Sequence, residues 1–222
     1  MLSRLTVAAL VLAVTVSAAS GIAAMIGDAF VKLPPPAGFC ELTPRYEFDG
    51  GMAAAVSAYL SGAGIRLLAM SADCDQLAEA REGRRRQLDD VVQYQVEIAD
   101  TKTPPPFSIA QRCSILRIQS NSPAGADIDA RLASTIEKIK VNEARSIGVI
   151  AEDDNACYTA TLEKVATETG TEKMLVGLHA ATVVSNRAIG VRRYTVYQNP
   201  DTINAMLPKL KGDVAALLAA NP

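Results

Sequence analysis

Alternation of apolar and polar residues dominates the last third of the chain and predicts a run of β-strands. Side chains of a strand point to opposite faces in turn, so a strand with one buried face shows a period of two. Short turn sequences separate these segments, among them Asp153-Asp154-Asn155 and Ser185-Asn186, and such turns join antiparallel neighbours. The predicted strands of this antiparallel meander are Ser146–Ala151, Ala156–Val165, Lys173–Val184 and Arg187–Gln198.

A period of three to four residues, typical of a helix with one buried face, is clearest between residues 127 and 141. Asp127 stands at its start, where a carboxylate can cap the first turn. The apolar positions of this helix are Ile128, Leu132, Ile136 and Ile139. Weaker patterns predict four more helices, which are Met52–Leu60, 73–80, Phe107–Ile118 and 201–220.

Three extended, β-prone segments precede the meander and complete the predicted sheet. They are Asp28–Leu33, Ile65–Met70 and Val91–Ile98. Strands and helices together predict an α+β fold, with a mainly antiparallel sheet flanked by helices. The chain has 222 residues, of which 49% are hydrophobic, and this is enough for one domain with a substantial core. We place that single globular domain at residues 28–222.

The N-terminal segment has the features of a signal peptide. Arg4 is its only charge, an apolar stretch follows from Val7 to Val16, and small residues allow cleavage after Ala18 or Ala19. We therefore predict a signal peptide at residues 1–19. An uncleaved anchor is the alternative, because no charge occurs between Leu5 and Gly27, a run long enough to span a bilayer.

The charge and composition exclude some functions. The formal net charge is −2, which argues against a dedicated nucleic-acid-binding protein. The chain has no Trp and only 5% aromatic residues, so stacking platforms for sugars or single strands are not expected. Gly62-Ala63-Gly64 lacks the third glycine of a dinucleotide-binding loop and precedes a strand. We expect no cofactor.

The number and the positions of the cysteines are consistent with export from the cytoplasm. Four of them, an even number, follow the predicted leader, and an oxidising compartment makes disulfides the leading interpretation. Spacing alone allows three pairings. Positions at neighbouring strand ends favour Cys40 with Cys74, and apolar faces turn Cys113 and Cys157 toward a core where they could meet. The separations are too long for a zinc site, and free buried cysteines are the remaining alternative.

His179 is the only histidine and therefore a candidate general base. It shares one strand face with Leu175, Gly177 and Val183, and neither a nucleophile elbow nor an active-site cysteine motif accompanies it. A structural role is the expectation, and we predict no catalytic or metal-binding residues.

Two charged stretches have both a functional and a structural interpretation. Arginines within residues 81–86 could hold a phosphate or an anionic lipid head group, but the acidic neighbours Glu79, Glu82, Asp89 and Asp90 favour a neutralised helix end. The stretch 152–155 groups three carboxylates and an amide, which calcium prefers, but it lacks the spacing of a calcium loop. We predict an ordinary turn there.

Two stretches carry a resemblance to known proteins. The first is Phe30-Val31-Lys32-Leu33-Pro34 leading to Gly38-Phe39-Cys40, and the second is the closing strand Gly190–Tyr197 with a helix ending in Ala219-Ala220-Asn221. Together they resemble small exported bacterial proteins of uncharacterised function. The order of elements is also similar to that of the Mog1/PsbP-like α/β/α sandwich. This resemblance implies an accessory or binding protein more than an enzyme.

Three functional hypotheses follow. The leading one is a non-catalytic periplasmic accessory, interaction or ligand-binding protein, whose partner is a protein or a small molecule. The second is an envelope hydrolase with an atypical site that involves His179. The third keeps the leader as an inner-membrane anchor and makes the domain a tethered partner on the periplasmic face.

Overall fold

A computed structural model describes residues 21–101, 105, 107–122, 127–167 and 170–222 of the chain. The predicted signal peptide, with Arg4 and the proposed cleavage positions, lies outside the described residues. The strands are β1 Ile22–Ile26, β2 Ala29–Leu33, β3 Phe39–Glu41, β4 Ile65–Asp73, β5 Val91–Glu97, β6 Glu143–Glu152, β7 Ala156–Ala166, β8 Glu172–Val184 and β9 Arg187–Val196. The helices are α1 Glu47–Gly62, α2 Cys74–Arg81, α3 Ile109–Gln119, α4 Ile128–Lys138 and α5 Asp201–Ala219, with a short 3-10 helix at Ile98–Thr101.

The main sheet has seven strands in the order β3-β4-β5-β9-β8-β7-β6, and every neighbouring pair is antiparallel. The strands β6 to β9 form the predicted meander, and β5 pairs with β9 across the sequence. A separate hairpin consists of β1 and β2. The predicted α+β fold with a mainly antiparallel sheet is confirmed.

Helices cover the two faces of this sheet unequally. We call them the α5 face and the α3 face. On the α5 face, α5 packs with the β1-β2 hairpin over the main hydrophobic core. Neighbouring residues of strand β7 point to these two faces. Tyr158 belongs to the main core on the α5 face, whereas Cys157 is bonded to Cys113 of α3 on the opposite face. The α3 face carries α3 near β6, β7 and β8, and α1 near β4.

A smaller core lies on the α3 face at the other end of the sheet. It contains Leu42, Met70, Ala72, Leu77 and Val91. The carboxylate of Asp49 in α1 lies beside it, fully buried, and Arg81 of α2 donates to it at 2.7 Å. The Arg81–Asp49 ion pair thus joins α1 and α2 at one end of the α3 face, and α3 covers the other end. A space remains between α3 and this pair of helices.

The structure contains two disulfides, Cys40–Cys74 and Cys113–Cys157, which is the pairing that the strand positions favoured. The first joins β3 to the start of α2, and the second joins α3 to β7. Disulfides indicate an oxidising compartment outside the cytoplasm. No helix in the described part of the chain is long and apolar enough to cross a membrane.

Several element boundaries differ from the predictions for physical reasons. A strand, Ile22–Ile26, precedes the predicted start of the domain at residue 28, and its Ile26 is fully buried. Helix α1 begins at Glu47 and runs through Gly50-Gly51, since the Asp49 ion pair offsets the weak helix propensity of glycine. The predicted cap at Asp127 is correct, and Asp73 caps α2 in the same way: each carboxylate accepts from the backbone N–H groups two and three residues later.

Candidate functional site

A row of polar side chains crosses the middle of the α3 face. His179 of β8 pairs with Arg192 of β9, and Arg192 pairs with Gln93 of β5. Directly paired residues of antiparallel strands point to the same face and lie close together. The α5 face is apolar at the neighbouring positions Leu178 and Val191, which are fully buried in the main core. The polar row is therefore a local departure from the composition of the sheet.

Glycine in β9 makes room for the histidine ring. A Cβ on Gly190 would lie 2.5 Å from Nε2 of His179, closer than real Cβ atoms come to other heavy atoms. Gly177 of β8 likewise makes room for the ring of Tyr194, its partner on β9, because an added Cβ would lie 2.9 Å from that ring. These two glycines let the rings lie flat against the backbone of the neighbouring strand.

A cavity of about 100 Å³ lies between this part of the sheet and the start of α3. Its walls are largely apolar, and the polar groups that reach it come from five elements, β5, the short 3-10 helix, α3, β8 and β9. The apolar side chains that line it include Ile65, Phe107, Ile109, Ala181, Val183 and Ala188. The polar lining includes Gln95, Glu97, Asp100, Arg112, His179 and Arg192. We call this cavity the α3 pocket. An apolar pocket with a few converging polar groups is the usual form of a small-molecule site.

The outer end of the α3 pocket is a charged cluster that is largely satisfied. Arg112 of α3 forms an ion pair with Glu97 at 2.5 Å, and its guanidinium carbon lies 5.2 Å from the centre of the Phe107 ring. Asp100 also lines this end, and burial together with the neighbouring Glu97 raises the pKa of its carboxyl. A capping box formed by Ser108 and Gln111 fixes the first turn of α3, from which Arg112 extends.

Arg192 at the inner end is different because its hydrogen bonding is incomplete. Its Nη1 donates to the hydroxyl of Tyr194 at 3.0 Å. Its Nε is buried and has no hydrogen-bond partner among the described residues. No carboxylate of the described residues forms an ion pair with it. A buried donor without a partner costs about 1–3 kcal/mol, so this arrangement needs an explanation.

His179 stands beside Arg192 as a neutral imidazole. Burial, with the positive charges of Arg192 and Arg112, lowers the pKa of His179 to about 3. In its neutral form one ring nitrogen donates and the other accepts a hydrogen bond. Within the described part of the chain, neither ring nitrogen is bonded to a hydroxyl or a carboxylate. His179 therefore offers the α3 pocket a hydrogen-bond donor that carries no charge.

The other sequence candidates lie away from this pocket and have structural partners. In the arginine run, Arg81 pairs with Asp49, Arg84 with Glu82, and Arg85 with Glu79 and Asp89. These contacts agree with a neutralised helix end. Asp90 instead accepts from Gln76 and Thr195.

The acidic stretch 152–155 forms the turn between β6 and β7. Asp153 accepts from the backbone N–H groups of Asn155 and Ala156, and Lys211 of α5 pairs with it at 3.0 Å. Among the residues that the structure describes, no three His, Cys, Asp or Glu side chains come together as metal ligands.

Sequence reasoning found His179 but missed Arg192 and Arg112. One signal was available: the pair Arg192-Arg193 lies inside an otherwise apolar, alternating strand, so one of the two arginines must point to each face. The position of Arg112 next to Cys113 gave no such signal, because it depends on the direction in which α3 approaches the sheet.

The chain matches no protein-family model, no curated protein and no solved structure. The resemblance to exported proteins and to the Mog1/PsbP-like fold therefore stays a prediction.

Proposed function

We propose that this protein is an exported, periplasmic ligand-binding protein and that the α3 pocket holds its ligand. The observation that carries the proposal is the buried, unpartnered Nε of Arg192 beside the α3 pocket. A fold tolerates an unsatisfied buried donor where a function uses it. Binding a small molecule there explains the orphaned donor, the neutral His179 and the two glycines of the neighbouring strands together.

The disulfides and the predicted leader support the periplasm as the compartment. Two disulfides indicate an oxidising environment, and the signal-peptide pattern supports the periplasm as the destination. Strand β1 favours release over retention as an anchor. It takes residues 22–26 of the uncharged run into the folded domain, which leaves residues 5–21 for a span that typically needs about 20 residues. Mass spectrometry of the mature N-terminus checks this point, and a retained Met1 would contradict it.

Binding is a better account of the pocket than hydrolysis. A general base must accept a proton from a nucleophile or a water molecule. An imidazole whose pKa is about 3 is too weak a base to do this well at neutral pH. No hydrogen bond connects His179 to a hydroxyl within the described residues. The geometry supplies donors for a ligand, whereas a hydrolase needs a nucleophile and a base in contact.

The test is an NMR titration of the 15N-labelled domain with a panel of small acids, amides, alcohols and amines. We expect at least one compound to give saturable shifts confined to α3, β8 and β9. The variant Ala188→Leu places a larger side chain in the α3 pocket and should abolish these shifts. The matched control Ala144→Leu adds the same atoms at an exposed position of β6 and should leave them unchanged. Failure of the whole panel, or equal binding by Ala188→Leu, contradicts the proposal.

A further inference from the structure

We infer that the ligand of the α3 pocket is a small monocarboxylate, whose carboxylate is bound by the guanidinium of Arg192 and whose short apolar part lies against the Ala181, Val183 and Ala188 side of the pocket. This inference rests on the proposed function and specifies the chemical class of the ligand.

One edge of the Arg192 guanidinium can receive a carboxylate. A guanidinium presents its donors as a planar fork that matches the two oxygens of a carboxylate. Tyr194 occupies Nη1, and the opposite edge consists of Nε and Nη2. Nε has no partner among the described residues. A carboxylate on this edge satisfies Nε and Nη2 together. Because Nε is buried, we expect a small rotation of the guanidinium group on binding.

His179 supplies a second donor at the same end. The ring lies against Gly190 and next to Arg192 in the cross-strand row. Its low pKa keeps it neutral, so it can donate one hydrogen bond to a carboxylate oxygen without adding a second positive charge. One full charge and one neutral donor suit a single carboxylate.

Acidic groups at the outer end limit the charge of the ligand. Arg112 is already paired with Glu97, and Asp100 lines the same end. The two arginines and the two carboxylates balance, so Arg192 is the only cation of the pocket that lacks an acidic partner among the described residues. A second negative charge on the ligand would approach Asp100 and Glu97. Dicarboxylates and phosphates therefore fit this pocket worse than monocarboxylates do.

The size and the walls of the pocket restrict the rest of the ligand. A cavity of about 100 Å³ admits a few heavy atoms beyond the carboxylate, and the side chains of Ala181, Val183 and Ala188 offer no hydrogen bonds. Each buried methylene contributes about 0.8 kcal/mol, or about a fourfold gain in affinity. We expect affinity to rise from acetate to butyrate and to fall for acids too long for the pocket.

The experiment compares butyrate with its neutral isostere butyramide, and with succinate and inorganic phosphate, by the same NMR titration. We expect butyrate to bind at least about 10-fold more tightly than butyramide, because a hydrogen bond to a charged group contributes about 1.5–3 kcal/mol. Arg192→Gln should weaken butyrate by about 10- to 100-fold and butyramide by a clearly smaller factor, because only the carboxylate loses a charge-assisted hydrogen bond. The control Arg145→Gln removes an arginine of β6 that is paired with Glu143, and should alter neither.

The outcomes separate this inference from the proposed function. If butyramide binds the α3 pocket as well as butyrate, and Ala188→Leu abolishes both, the pocket is a binding site and the carboxylate inference fails. If succinate or phosphate binds more tightly than butyrate, the restriction to one charge fails. If no compound binds, both proposals fail. If Arg192→Gln does not fold, Arg192→Lys replaces it, because lysine keeps the positive charge but lacks the planar pair of donors of a guanidinium. If Arg192→Lys binds butyrate as tightly as the wild type does, the inference is contradicted.

Discussion

Two neighbouring arginines of β9 lie on opposite faces of the sheet and have opposite surroundings. Arg193 points to the α5 face, where its Nε donates to the buried carboxylate of Asp213 at 3.0 Å and its guanidinium lies 4.7 Å from the centre of the Phe39 ring. Arg192 points to the α3 face, where Tyr194 is its one partner and Nε has none among the described residues. The same residue type therefore has a buried carboxylate partner on one face, and on the other face it has a buried Nε without a partner among the described residues.

The hydrogen bonding of a buried charge distinguishes a structural role from a functional one. A buried charge that holds the fold is paired and hydrogen-bonded within the chain. A charge kept for a ligand stays partly unsatisfied until the ligand arrives, and the fold accepts that cost at the site. Four experiments, in order of decreasing expected effect, test this distinction.

The largest effect is expected at the pair on the α5 face. Asp213→Ala leaves Arg193 as a buried charge without its partner, and removing one member of such a pair costs about 3–5 kcal/mol of unfolding free energy. Urea denaturation measures the loss. The control Glu82→Ala removes the partner of Arg84 from an exposed pair and should cost less than about 1 kcal/mol. A loss at Asp213 as small as that of the control would contradict the structural role of this pair.

The two disulfides should differ in function more than in stability. Replacing both cysteines of either bridge by alanine should cost about 2–4 kcal/mol, since the closed loops are similar in length. Only the Cys113–Cys157 pair fixes α3 on the sheet and so shapes the α3 pocket. We expect that double variant to lose pocket binding in the NMR titration, and the Cys40/Cys74 double variant to keep it. Equal binding by both would show that α3 holds its place without the bridge.

The neutral His179 makes stability depend on pH. Its pKa is about 3 in the folded protein against 6.5 for an unperturbed histidine, so between these values the unfolded chain binds more protons. The unfolding free energy therefore falls as the pH drops below about 6.5, by up to about 1.4 kcal/mol per pH unit from this residue. Comparing urea unfolding of wild type and His179→Gln at pH 7, 5.5 and 4.5 isolates this contribution. A constant difference between the two proteins over that range would contradict it.

The smallest effect on stability is expected at Arg192. Arg192→Met removes a side chain that has no ion pair to lose among the described residues, and it also removes the orphaned donor. We expect the unfolding free energy to change by less than about 1 kcal/mol, in either direction. Arg193→Met is the matched variant on the other face and should cost several times more. If the two variants lose stability equally, Arg192 is a structural arginine and the comparison fails.

Much of the fold could be predicted from the sequence because it depends on local patterns. Alternation predicted the four strands of the meander, and the period of helix α4 with its Asp127 cap identified that helix. Strand β1 was missed, since its composition is as uncharged and apolar as the leader before it. Only the pairing of β1 with β2 distinguishes it from a membrane-directed segment.

The candidate site was less predictable because it is assembled across the sheet. His179 and Arg192 meet through the register of β8 and β9, and Arg112 arrives from a helix far away along the chain. Sequence shows which residue types are present, but the unsatisfied Nε of Arg192 depends on every neighbour that could have bonded to it. Gly190 illustrates this limit, since its requirement comes from the ring of His179 on the next strand.

The Nε of Arg192 has no hydrogen-bond partner among the described residues, and in our proposal the carboxylate of the ligand provides one. The most direct measurement follows the Nε–H signal of Arg192 by NMR in the 15N-arginine-labelled protein, assigned by its loss in Arg192→Lys, before and after adding butyrate or butyramide. We predict that butyrate moves this signal downfield and slows its exchange with water, as a new hydrogen bond requires, and that butyramide does neither. An Nε–H signal that stays unchanged while butyrate saturates the protein would contradict the account.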